Sequence, residues 1–266
     1  MKLSPEHTEE LRQARRLLEN PSIAARFSNV LAQPIEKGMV LLPAGARDEI
    51  YAISEMSLRA ALTVALSTLG DGSRSSSNLA HKAAAALSGA AGGAFGLPAL
   101  AAEMPISTAI MLRSIADIAR SEGENLGDVE TRVACLEVFA LGGASRRDDA
   151  AEAGYFAVRA ALARAVGEAA SYVASSGTTR ETAPALVRLV GQIAARFSIP
   201  VTEKAAAQAV PVVGAAGGAV INVLFIDHFQ DVARGHFVVR RLERRYGADA
   251  VQTAYAAVPA TPANPR

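Results

Sequence analysis

Gly89-Ala-Ala-Gly-Gly-Ala94, inside the uncharged run Ala83–Ala102, returns unchanged as Gly214-Ala-Ala-Gly-Gly-Ala219 inside Ala205–Ile226. An acid closes each run, Glu103 the first and Asp227 the second. Glycine in a helix costs about 1 kcal/mol relative to alanine, so such clusters need a compensating gain. Close backbone approach provides one. Gly89/Gly93, Gly92/Gly96 and Gly214/Gly218 each form a G-x-x-x-G ridge without side chains, with Gly217 beside the last. The reading is a pair of tightly packed central helices, in a protein core or as a hairpin entering a bilayer. The residues flanking the two hexapeptides differ, which points to convergent packing rather than an internal repeat.

Outward from these runs the chain carries helix punctuation. Ser4-Pro5-Glu6 caps and opens a helix that Asn20-Pro21 closes. Ser22–Gln33 and Pro34–Leu42 are short apolar units, and Asp48–Leu69 is a long periodic run ended by Gly70. Asp71–Asn78 reads as a polar linker. Pro105–Glu122 should bury Ile106, Ile110, Ile115 and Ile118. Asp128–Leu141 is expected to be capped by Asp128 and stopped by Gly142-Gly143. Asp148–Ser175 and Glu181–Phe197 follow, and Thr202-Glu203 should open the second Gly/Ala segment. The last helix runs to Tyr246, with Phe225, Phe229, Val232, His236, Val239 and Leu242 on one face. No alternating strand pattern occurs. The expected fold is all-α: a compact multi-helix bundle with two central Gly/Ala-rich segments. Its parts would be N-terminal helices over 1–33, a helical domain over 34–247 and an Ala/Pro-rich disordered tail over 248–266.

A net charge of +1 gives no electrostatic case for nucleic acid. The lone Cys135 rules out an internal disulfide framework and fits a reducing cytoplasm. The polar start Met1-Lys2-Leu3-Ser4 lacks the apolar run of a secretory signal.

The glycine-rich run Gly89–Gly96 has no preceding strand and no Lys-Ser/Thr pair, so neither a phosphate loop nor a dinucleotide fingerprint fits, and no cofactor is expected. No G-x-S-x-G elbow supports a serine hydrolase. Asp227, His228 and Asp231 are neighbouring metal-ligand types without a ligand-motif spacing, and His7 and His81 stand alone. His236 on its apolar face and Cys135 read as core residues. Glu103 and Asp227 would converge if the two runs pair, which gives a hydrolase-like reading, with or without a metal. Alanine-rich helices could also enclose a cavity for a hydrophobic ligand. The final helix carries Arg240, Arg241, Arg244 and Arg245, a basic amphipathic pattern suited to anionic lipid or an acidic membrane-protein partner.

The chain resembles the EcsC family, helical proteins of bacteria named for a gene beside an ABC transporter. The resemblance rests on three stretches: Pro34-Ile-Glu-Lys-Gly38 with Leu42-Pro43; Gly92-Gly-Ala-Phe-Gly-Leu-Pro98 with Glu103-Met-Pro105, Arg113 and Glu122-Gly123; and Ala209-Val-Pro-Val-Val-Gly214 with the basic last helix. Glu103 stands where the family pattern leads one to expect aspartate. The resemblance implies a helical fold and a membrane-proximal role, with no catalytic mechanism. The combined expectation is a cytoplasmic protein, peripheral at the inner face of the membrane, that binds lipid or a membrane protein.

Overall fold

The computed structural model describes residues 2–19, 23–31, 34–69, 97–143, 154–176, 183–210 and 214–258. Among them it is a multi-helix bundle with no strand. The helices are α1 (Pro5–Leu18), α2 (Ile23–Leu31), α3 (Glu36–Leu41), α4 (Ala46–Thr68), α5 (Leu97–Ser121), α6 (Val129–Leu141), α7 (Gly154–Ser176), α8 (Pro184–Ala209), α9 (Gly214–Tyr246) and α10 (Ala248–Ala257). The linker 71–78 and the first glycine cluster, Gly89, Gly92, Gly93 and Gly96, lie outside the described residues. The second cluster, Gly214, Gly217 and Gly218, forms the first turns of α9.

Local signals account for several boundaries. The Ser4 side chain accepts a hydrogen bond from the His7 amide at 3.2 Å, and Pro5 follows in the first turn of α1. Asp128 sits at the N-cap of α6 in extended conformation, but its side chain makes no capping bond.

Side-chain pairings fix the helix directions. Gln230 donates to Ser114 at 2.7 Å, and further along α9 Arg240 meets Glu124, just past the end of α5, at 2.9 Å, so α5 and α9 run parallel. Thr131, early in α6, donates to Glu124 at 3.4 Å, whereas the Gly142 carbonyl just past its end accepts from His228 at 2.8 Å. Helix α6 therefore runs back against α9. So does α8, because Phe197 packs on Phe229 at 5.5 Å and Lys204 lies 5.0 Å from the Phe225 ring. Phe139, Phe197, Phe225 and Phe229 meet at tilted and edge-to-face angles in the centre of the core.

Three expectations are corrected. Helix α5 starts before Pro105, and its buried side is Leu100, Met104, Met111, Leu112, Ile115 and Ala119, while Ile106 is 58% exposed and Ile110 half-buried. Ile106 and Ile110 fall on the stripe continued by Arg113, Asp117 and Arg120, which faces outward. Helix α8 does not stop at Phe197 but continues through Pro200 to Ala209. Pro200 cannot donate to the Arg196 carbonyl, and Gly143 packs so closely on that carbonyl that a Cβ at 143 would overlap it. Finally, residues 248–257 form α10 rather than the start of a disordered tail. Val251 and Tyr255, four apart, bury one face, and Arg15 on α1 donates to the Tyr255 carbonyl at 2.8 Å and to the Val258 carbonyl. The residues from 259 on lie outside the described set.

Candidate functional site

Helix α5 presents Glu103 to α8, where Lys204 is fully buried. The Lys204 ammonium lies 2.6 Å from Glu103 Oε1, 3.6 Å from Met104 Sδ and 5.0 Å from the centre of the Phe225 ring. Burial pushes the lysine down from its ordinary pKa, and the Glu103 charge opposes the shift. The second carboxyl oxygen, Glu103 Oε2, is buried without a hydrogen-bond partner.

The structure does not bring Glu103 and Asp227 together. Residue 227 precedes Gln230 by three and so lies level with residue 111 of α5, about 12 Å along the axis from residue 103 at the usual helical rise. Asp227, His228 and Asp231 have separate commitments. His228 Nε2 donates to the Gly142 carbonyl at 2.8 Å, and burial holds the ring neutral with its pKa pushed down to about 4. Asp231 binds Arg26 and Arg234, each at 2.9 Å. Asp227 is half-buried. Among the described residues no three His, Cys, Asp or Glu side chains group as a metal-ligand set.

Most of the arginines of α9 pair with acids. Arg240 and Arg244 both bind Glu124, and Arg244 also donates to the Glu122 carbonyl at 2.8 Å. Burial alone would raise the Glu124 pKa, but the hydrogen bond and charge of Arg240, followed by those of Arg244, bring it below its ordinary value. Arg241 bridges Glu10 at 3.0 Å and Glu122 at 2.9 Å. Arg245 is exposed, beside the Tyr246 ring.

One constellation was not foreseen. Arg159 on α7 makes a two-pronged pair with Glu243 at 2.8 and 3.0 Å and donates to the Tyr155 hydroxyl at 3.3 Å. Tyr155 in turn lies 2.9 Å from His236 Nδ1. The other ring nitrogen, His236 Nε2, is buried without a partner. Burial, with Arg159 and Arg240 adding to it, keeps His236 neutral. Glu137 on α6 is also buried, and desolvation lifts its carboxyl to about 7 against the lowering charges of Arg159 and Arg240. The sequence held one clue, an acid inside the apolar run Val133–Leu141.

Tyr155, His236 and Glu137 of this cluster are buried, while Arg159 and Glu243 are half-buried. Cys135, nearby on α6, is buried, and its thiol is pushed up to about 12, principally by burial, so it is no nucleophile at neutral pH. Of the exposed aliphatics, which also include Val30 and Val187, four stand together in the fold: Val40, Leu41, Ile106 and Val220. Gly38 packs against the Ala206 backbone, Lys204 reaches Glu103, and α5 and α9 run parallel, so all four belong to the end of the bundle where α5 and α9 begin.

The profile of the EcsC protein family matches residues 6–242. The chain belongs to the EcsC protein family. No curated protein and no solved structure matches it. In this EcsC protein the matched span runs from α1 nearly to the end of α9, including the Glu103–Lys204 pair and the Glu137 cluster. Helix α10, which packs on α1 and α9, lies beyond the matched span.

Proposed function

We propose that this EcsC protein is a peripheral membrane protein that docks on a lipid bilayer through the end where α5 and α9 begin. What carries the reading is a matched change of polarity on two parallel helices. The outward stripe of α5 reads Ile106, Ile110, then Arg113, Asp117 and Arg120. The stripe of α9 on the same side reads exposed Val220 and half-buried Leu224, then half-buried Asp227, Asp231 and Arg234. With Ser114 level with Gln230, the apolar halves lie side by side and turn charged within about one helical turn of each other. A surface that is apolar at one end and charged beyond it suits an interface between hydrocarbon and headgroups.

Within α5, Pro98–Ser121 is long and apolar enough to cross a membrane, and 56% of its apolar window is buried in the bundle. Peripheral docking fits better than spanning. The helix carries Glu103, Arg113, Asp117 and Arg120, and each charge at the centre of a span costs roughly 2.5–3.5 kcal/mol. Gly214, Gly217 and Gly218, in the first turns of α9, would serve close helix packing near this end. The same reading moves lipid contact away from Arg240, Arg241 and Arg244, whose charges are occupied by Glu124, Glu122 and Glu10. It keeps the protein at the inner face of the cell membrane, and a membrane-protein partner could share the same apolar end. The enzyme reading lacks support, because Glu103 and Asp227 do not converge.

Co-sedimentation with vesicles tests the proposal. Binding to zwitterionic and anionic vesicles alike, resistant to salt and released by alkaline carbonate, is the expected result. Absence of binding to either overturns it, and binding that survives carbonate would mean that a helix spans.

A further inference from the structure

The α3–α4 connection, at the same end, is built as a presented apolar tip. Val40 is 84% exposed and Leu41 53% exposed, and Pro43 and Ala44 after them are exposed too. Single exposed aliphatics are ordinary, but here four of five consecutive apolar residues face solvent. Their base is fixed. Ile35 is buried and its amide donates to Ser28 Oγ at 3.0 Å. Gly38 lies so close to the Ala206 carbonyl that no side chain would fit between α3 and α8. The Leu42 amide donates to the Met39 carbonyl at 3.4 Å, the Ala46 amide to the Pro43 carbonyl at 3.1 Å, and Gly45 takes a φ of 84° to start α4. A rigid base holding bare aliphatics outward avoids most of the ordering cost that a flexible loop would meet on binding.

The charges around the tip indicate what it meets. Glu36 and Lys37 precede it, Arg47, Asp48 and Glu49 follow it, and all five are exposed. They leave no net positive charge to draw the tip to anionic headgroups. The tip lies at the same end of the bundle as the exposed Ile106 and Val220. Resting on the bilayer-docking reading above, we infer that Val40 and Leu41 are the anchor of this protein: they enter the acyl boundary of the bilayer, with the flanking charges at headgroup level and no requirement for anionic lipid.

The test uses the full chain and vesicles of pure phosphatidylcholine. Val40→Asp with Leu41→Asp should weaken partitioning by about 100-fold or more, as expected for losing two buried aliphatic side chains. Circular dichroism should be unchanged, since both side chains face solvent. A Val40→Trp variant gives a second readout, because the chain contains no other tryptophan. Its emission should shift to the blue on adding vesicles and be quenched by lipids brominated on their acyl chains. Failure of the wild type to bind vesicles would defeat the bilayer reading itself. Wild-type binding that the double aspartate variant retains would overturn the anchor alone. So would a Val40→Trp protein that binds vesicles while its indole emission stays that of water.

Discussion

Replacing Lys204 with methionine should be among the most damaging single changes in this protein. The lysine is fully buried, its partner Glu103 is 5% exposed, and Glu103 Oε2 already has no hydrogen bond. Removing the ammonium leaves a carboxylate in the core facing Met104 and Phe225. Breaking a buried pair in this way costs about 3–5 kcal/mol. For a chain of this size that corresponds to a fall in Tm of roughly 10 °C. Replacing both partners by apolar residues, Glu103→Leu with Lys204→Met, removes the stranded charge. Exchanges of that kind are typically neutral or stabilising by about 1–4 kcal/mol. Urea unfolding followed by far-ultraviolet circular dichroism on the wild type, both single variants and the double variant would give the coupling directly. The double variant should be more stable than Lys204→Met by several kcal/mol. A loss below about 1 kcal/mol for Lys204→Met, the range of exposed pairs, would refute the burial of this pair. So would a double variant that is merely the sum of the singles.

Glu137 should give the protein a stability that falls as pH rises from about 4.5 to about 7, because the folded state holds its proton over that window and the unfolded state does not. Glu137→Gln removes that slope, so its stability relative to wild type should improve by about 3 kcal/mol between the two ends of the window. His228 works in the opposite sense. Its folded pKa of about 4 lies below the ordinary 6.5, so its contribution is lost as pH falls through that range, a loss that Glu137→Gln unmasks. Equal pH profiles for the two proteins would refute the assignment to Glu137. Arg240→Ala should destabilise the fold by about 1.5–3 kcal/mol, the worth of charged hydrogen bonds, because it strips Glu124 of two bonds at 2.9 and 3.3 Å. Vesicle binding by the folded fraction should be unaffected. Loss of binding without loss of stability would return the arginine to the lipid surface.

What was legible in the sequence was local. The Ser4 cap, the stop at Gly247 and the face from Phe225 to Leu242 depend on residues a few positions apart, and helical period alone reports them. The outward stripe of α5 was legible too, had Ile106 and Ile110 been read together with Arg113, Asp117 and Arg120 rather than with Ile115 and Ile118. The pairings were not. Lys204 and Glu103 are 101 residues apart, and Arg240 and Glu124 are 116 apart, so each half looks like a surface charge until the helices are docked. A basic amphipathic helix and a helix that pairs inward with distant acids share one sequence pattern. Gly143 shows the same limit: the Arg196 carbonyl that leaves no room for a side chain there comes from α8, more than fifty residues on.

The central claim is that the apolar end of the bundle touches lipid while the opposite end stays in water. Two single-tryptophan variants test it on the same helix: Ile106→Trp at the apolar end of α5, and Arg120→Trp about 21 Å further along at the usual helical rise. Both positions are exposed. With vesicles containing acyl-brominated lipid, the account predicts quenched emission from the Ile106→Trp protein and unquenched emission from the Arg120→Trp protein. Equal quenching of the two, or quenching of Arg120→Trp alone, would contradict it.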